Sequence, residues 1–265
     1  MSSVTNRIKQ IKQPRGGYIK PSQFQKIVFN DKLTLYEENL NSSIIGMVVD
    51  YLTRFTETLN VKSAFKISIL GYQLRKKILG NAICEKDTKE GIDIASLLTQ
   101  IKGLDDASII AACKLCTYDI WYRNPLAAQT AKKTNEITPD DDTIKNIQIM
   151  VERSKLFWKK YGPITVDGFT FENGGYTSTV TTGDGDYLTA NTIWDFKVSK
   201  SEPTNKHTLQ LLMYWIMGQH SNKEEFKNIT NLGIFNPRLN KAYILDVNNI
   251  STEIIKTVEN DVICY

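Results

Sequence analysis

The sequence predicts an α/β protein with a mainly helical N-terminal region, and three observations carry that class. Up to about residue 160, apolar residues recur at helical spacing between capping residues. After Gly162-Pro163 the pattern changes to short runs rich in Thr, Val, Phe and Tyr, separated by Gly or Asn, which read as strands. A chain of 265 residues is also long enough for one substantial core with a helical extension. The expected organisation is a basic, mobile arm over 1–20, a helical region over 21–160 and an α/β core over 161–265. Part of the helical region is expected to integrate with that core into one domain.

Taken in order, the arm carries Arg7, Lys9, Lys12, Arg15 and Lys20 around Gly16-Gly17, as a solvated tail would. Ser42 or Ser43 is placed to cap a helix whose Ile45, Val48, Val49, Leu52 and Phe55 form one stripe. Further helices are expected over 61–79, 92–101 and 107–122, the last ended by Pro125. Asp140, Asp141 and Asp142 begin another that runs to about 160, where their charge complements the helix dipole. Strands follow at 164–171, 176–182, 185–188 and 192–199. A strongly apolar helix covers 206–218, a strand pair covers 229–235 and 242–247, and a helix over 250–262 closes the chain.

Composition excludes several classes. Hydrophobic content of 41% and charged content of 23% argue against long disorder. No apolar run reaches the length of a membrane span and the start lacks a secretory pattern, so a cytoplasmic protein without membrane attachment is expected. Cysteines at 84, 113, 116 and 264 form no disulfide-like framework, and free thiols are expected. Cys113-Lys-Leu-Cys116 lies within a helical run, without the further ligands that zinc needs. There is no P-loop, dinucleotide fingerprint or nucleophile elbow, and two histidines make a His-based metalloprotease or triad hydrolase a poor fit. A net charge of +4 does not by itself single out a nucleic-acid partner.

The chemistry concentrates at 183–214. Strand alternation puts Ile193, Asp195, Lys197 and Ser199 on one face and Trp194, Phe196 and Val198 on the other, expected to be the packed one. If Ala190-Asn191 are the turn residues of a hairpin, Asp186 lies opposite Asp195 on the same face. Asp184 shares that face and competes for the role. Opposed carboxylates repel unless a cation or proton lies between them. Mg²⁺ suits two carboxylates, a backbone carbonyl such as that of Phe196, and water, with Mn²⁺ able to substitute. Lys197 is then placed to neutralise charge on a phosphorane-like transition state. Gln210 and Tyr214, four residues apart on the apolar helix, either support that site or bond internally to a neighbouring strand.

The stretch Gly183-x-x-Asp186, Ile193-x-Asp195-x-Lys197 and Gln210-x-x-x-Tyr214 resembles the RecB-like branch of the PD-(D/E)xK nuclease superfamily. The resemblance covers about 164–247, including Leu232-Gly-Ile-Phe-Asn-Pro. It implies a restriction-endonuclease-like core, a mixed sheet flanked by helices. It also implies metal ligands at Asp186 and Asp195, a catalytic Lys197, and supporting Gln210 and Tyr214. The family often has an upstream His a turn after a Gly; Gly46-Met-Val-Val-Asp50 offers Asp50 instead, for which an i,i+4 pair with Arg54 is the alternative reading. Glu38 and Glu152 are weaker alternatives.

Some members hold an iron–sulfur cluster on one upstream cysteine and a C-terminal triplet; Cys264 stands alone at this end, and no cluster is expected. Arg15, Lys20, Lys200, Lys206 and His207 are candidate nucleic-acid contacts. The expected function is Mg²⁺-dependent hydrolysis of DNA phosphodiester bonds, in mobile-element, phage or defence DNA processing. The alternatives are a nucleic-acid-binding or protein-interaction module without turnover and a nuclease acting on RNA.

Overall fold

The computed structural model describes residues 2–80 and 93–265. Cys84 and the expected start of a helix at residue 92 lie outside the described residues. The chain forms two compact units, one of Met1–Asn30 with Leu156–Tyr265 and one of Asp31–Lys155.

The first unit is built on a six-stranded mixed sheet. Its strands are β2 (Gln25–Val28), β3 (Val166–Thr170), β5 (Asp184–Leu188), β6 (Thr192–Phe196), β7 (Asn231–Asn236) and β8 (Lys241–Asp246), in the order β2-β8-β7-β6-β5-β3. Among the described residues of this sheet only β6 and β7 pair parallel, and the helix Asn205–His220 lies in the connection between them. Two short strands, β1 (Ser2–Ser3) and β4 (Val180–Thr182), pair separately. The run expected as a strand from 176 is a turn for its first residues, because the Thr177 hydroxyl accepts the Val180 N–H at 3.0 Å and takes that group from a ladder.

Both faces of β6 are packed, not one. Trp194 receives Phe157 at 4.9 Å between ring centroids, and Phe157 stacks on Phe235 at 3.8 Å, so the end of the helix Asp141–Tyr161 covers the aromatic face. On the other face Leu188 and Ile193 join one apolar cluster with Leu209, Leu212, Met213 and Ile216 of Asn205–His220. That helix is apolar nearly all round because it is enclosed, as its sequence implies. Asp195 therefore projects into a covered layer and is only 2% exposed.

The first twenty residues are not a mobile arm. Val4, Ile8 and Ile11 recur at helical spacing, and the helix Val4–Gln10 places Val4 and Ile8 in the same cluster as Leu188 and Ile193. Arg7 donates to the Val262 and Asp261 carbonyls at 2.8 and 3.1 Å, so it closes the chain end and is not a free basic contact. Intervening Arg and Lys masked a short apolar stripe. β2 was likewise missing from the expectation, since three of its four residues are exposed and its edge position leaves no apolar alternation to read.

The second unit is helical. The helix Ser42–Thr58 is capped by Asn41, whose side chain accepts the Ser43 N–H at 2.8 Å, and the stripe of Ile45, Val48, Val49, Leu52 and Phe55 is buried as expected. The helix expected over 107–122 is two, Asp106–Cys116 and Asp119–Arg123. They part where the Thr117 hydroxyl donates to the Lys114 carbonyl at 2.6 Å. Asp119 is buried there and bonded by Tyr51 and by Ser68 at 2.5 Å. Burial raises its pKa further than those donors lower it. Cys113 and Cys116 are buried; burial pushes the Cys113 thiol up to about 12, which suits packing and disfavours thiolate chemistry. No helix among the described residues is long and apolar enough to cross a membrane.

Truncating a buried apolar side chain removes transfer energy and leaves a cavity. Ile8→Ala should cost about 2–4 kcal/mol in urea unfolding of the whole chain. A loss below about 0.5 kcal/mol, the range of exposed positions, would return these residues to the status of a tail.

Candidate active site

The site begins with a turn. The Thr189 N–H bonds the Thr192 carbonyl at 3.0 Å, which leaves Ala190 and Asn191 as the turn residues. The ladder then pairs Leu188 with Ile193 and Tyr187 with Trp194. Continued by one residue, this register sets Asp186 against Asp195, as the two-residue turn requires. The backbone ladder ends there, because the Phe196 N–H is taken by Asp186 Oδ2 at 2.7 Å. A strand residue's N–H and C=O point to the same side, so the Phe196 carbonyl also faces the Asp186 side. Gly185 between the two acidic residues is required, since a Cβ there would stand 1.9 Å from the Phe169 ring.

On the far side β6 continues its parallel ladder, with the Lys197 N–H donating to the Phe235 carbonyl at 2.9 Å. The Lys197 ammonium reaches back two residues to Asp195 Oδ1, also at 2.9 Å. Burial lowers the pKa of this ammonium, but the charges of Asp195 and Asp186 outweigh it and hold the pKa above its ordinary 10.5. Lys197 is thus a fixed cation at neutral pH and not a proton acceptor. Asp195 Oδ2, by contrast, is buried and has no hydrogen-bond partner among the described residues. A buried carboxyl oxygen left this way costs about 1–3 kcal/mol. The orphan oxygen, the Asp186 carboxylate and the Phe196 carbonyl are all hard oxygen donors, the set that Mg²⁺ or Mn²⁺ takes. Among the described residues, no group of three or more His, Cys, Asp or Glu side chains gathers around a common point.

Gln210 and Tyr214 act on the strand that carries Asp186. The Tyr214 hydroxyl donates to the Asp184 carbonyl at 2.8 Å and accepts from Gln210 Nε2 at 2.7 Å. Tyr176 donates to the neighbouring Gly183 carbonyl at 2.7 Å. Two phenols therefore fix the entry to β5, and Asp184 contributes its backbone while its side chain is exposed. Of the two roles open to this pair, the internal bond to a neighbouring strand is present, two residues from Asp186.

The candidate basic contacts converge on the start of Asn205–His220. Ile19 accepts the Thr208 hydroxyl at 2.6 Å, and a Cβ on Gly17 would stand 2.5 Å from that of Asn205. The Gly17 N–H bonds the Pro14 carbonyl at 2.8 Å, making a turn with Arg15 at its tip and Gly16 at φ +89. Arg15, Lys20, Lys200 and Lys206 are exposed, and His207 is half-buried in the first helical turn. Asn236, not singled out in the sequence, donates to the Ser199 carbonyl at 2.8 Å and secures the loop after Lys197. Its signal was the Phe-Asn-Pro turn at the end of β7.

Asp50 belongs to the helical unit, where it accepts from Arg54 Nε at 3.1 Å, the i,i+4 pair that its spacing allows. In the same unit Glu38 accepts from Asn146 at 3.1 Å and Glu152 pairs with Lys155 at 2.8 Å.

Removing one partner of a buried pair leaves the other uncompensated. Lys197→Met should destabilise by about 3–5 kcal/mol, and adding Asp195→Asn should recover part of that loss. The folded pKa of Lys197 is raised, so the contribution of its charge is complete below 10.5 and fades only as pH climbs through the higher folded value. The penalty should therefore be equal at about pH 7 and about pH 9 by urea unfolding. A neutral Lys197→Met would show that the pair is solvent-screened.

No family model, curated protein or solved structure matches the chain, so the chemistry of the site is read from these residues themselves.

Proposed function

We propose that the chain is a divalent-metal-dependent deoxyribonuclease of the RecB-like, PD-(D/E)xK type. The observation that carries this reading is the orphan Oδ2 of buried Asp195, opposite Asp186 and two residues from a fixed ammonium. Two acidic groups and one cation leave negative charge in a covered layer, and a cation best completes it. Mg²⁺, or Mn²⁺ in its place, would be held by Asp186, Asp195 and the Phe196 carbonyl. When bound, it supplies Lewis-acid polarisation of a phosphate oxygen and activation of water.

The residues of the chain divide the remaining work. Lys197 offers positive charge where it accumulates on the phosphorus centre in the transition state. Tyr214 and Gln210 keep Asp186 in register through the Asp184 carbonyl. Arg15, Lys20, Lys200 and Lys206 present charge to the flanking phosphates around the helix start, which gives affinity without sequence preference.

Linear, circular and single-stranded DNA, with RNA in parallel, should be incubated with Mg²⁺, Mn²⁺ or EDTA. Metal-dependent cleavage of DNA is expected, with EDTA abolishing it. Lys197→Ala should lower the cleavage rate by about 10²-fold or more while DNA affinity in Ca²⁺ changes little, since the lysine acts in the transition state. Cleavage of RNA alone would move the reading to a ribonuclease. Binding without cleavage of any substrate would make the chain a nucleic-acid-binding module.

A further inference from the structure

The helix Asn205–His220 carries one of the two histidines of the chain in its first turn. His207, Gln210 and Tyr214 stand at i, i+3 and i+7 and share the face that holds β5 in place. His207 Nδ1 accepts the Thr204 backbone N–H at 3.2 Å, which caps the helix and puts the proton of the neutral ring on Nε2. No described residue is hydrogen-bonded to Nε2.

We propose that His207 contacts the substrate, its Nε2–H donating to a non-bridging oxygen of the scissile phosphodiester while Nδ1 stays on the helix cap. This rests on the nuclease reading and names an atom for what the sequence marks only as a nucleic-acid contact. Oxygen acceptors dominate the site: two carboxylates and a carbonyl. An anionic phosphate needs donors, and Lys197 and His207 offer them from β6 and from the helix start. The ring senses the charges of Lys197 and Asp195 from β6 and of Lys206 on its own helix. Burial, then Lys197, lowers its pKa against the opposing pull of Asp195, so it remains a neutral donor beside a cation.

The two nitrogens can be separated by isosteres. Asparagine places an acceptor where Nδ1 stands and lacks the distal donor; glutamine places an amide near Nε2 and loses the cap. His207→Asn should lower kcat by about 10–100-fold and DNA affinity in Ca²⁺ by less than about 10-fold, with wild-type Tm. His207→Gln should keep most of kcat at a lower Tm. A second readout does not depend on turnover. With only two histidines, imidazole ¹⁵N spectra contain two rings, assigned through His220→Gln. A phosphorothioate oligonucleotide in Ca²⁺ should move the Nε2 signal of His207 and leave its Nδ1 and His220 in place.

An active wild type with an unimpaired His207→Asn, or an unmoved Nε2 signal with oligonucleotide bound, would overturn the assignment alone. Equal loss of kcat and Tm in both variants would reduce His207 to a cap. An inactive wild type on every substrate would remove the nuclease reading, and this contact with it.

Discussion

Asp195 sets a carboxylate in a covered layer, and Lys197 answers only half of it. Oδ1 has its ammonium at 2.9 Å; Oδ2 has no hydrogen-bond partner among the described residues. Leaving such an oxygen without a partner costs about 1–3 kcal/mol, a sizeable share of the stability of a domain, so its presence calls for an explanation. The surroundings hold it in place from every direction. β7 fixes β6 by a parallel ladder, aromatic rings from Asp141–Tyr161 fill the face behind it, and Asn205–His220 closes the face in front.

The backbone ladder between β5 and β6 also gives way to a side chain at the acidic pair. β5 and β6 pair only as far as Tyr187 and Trp194, and beyond that point a side chain replaces a backbone partner at the Phe196 N–H. That N–H is therefore not left unsatisfied where the ladder ends. The tyrosine bonds to the Gly183 and Asp184 carbonyls anchor the start of β5 beside it. Substitutions at Tyr214 would act on Asp186 through the backbone, at one remove from any substrate.

The parts of this arrangement legible in the sequence were those with a strict period or a counted turn. The hairpin register followed from Ala190-Asn191, and the enclosed helix from its continuous apolar run. What escaped had weak local signals. The stripe of Val4, Ile8 and Ile11 is interrupted by basic residues, and β2 shows mostly exposed side chains. The burial of Asp195 depends on a helix that begins ten residues later, so strand alternation alone placed it on an open face. Asn236 and Thr208 act through the backbone of distant segments, a role that residue type does not announce.

If the orphan oxygen belongs to a cation site, anomalous diffraction from crystals soaked in Mn²⁺ should show one strong peak at about 2.0–2.3 Å from Asp195 Oδ2 and from an Asp186 oxygen, lost in Asp195→Asn. Mn²⁺ bound elsewhere, with Asp195 Oδ2 still unpartnered at saturating metal, would contradict that assignment.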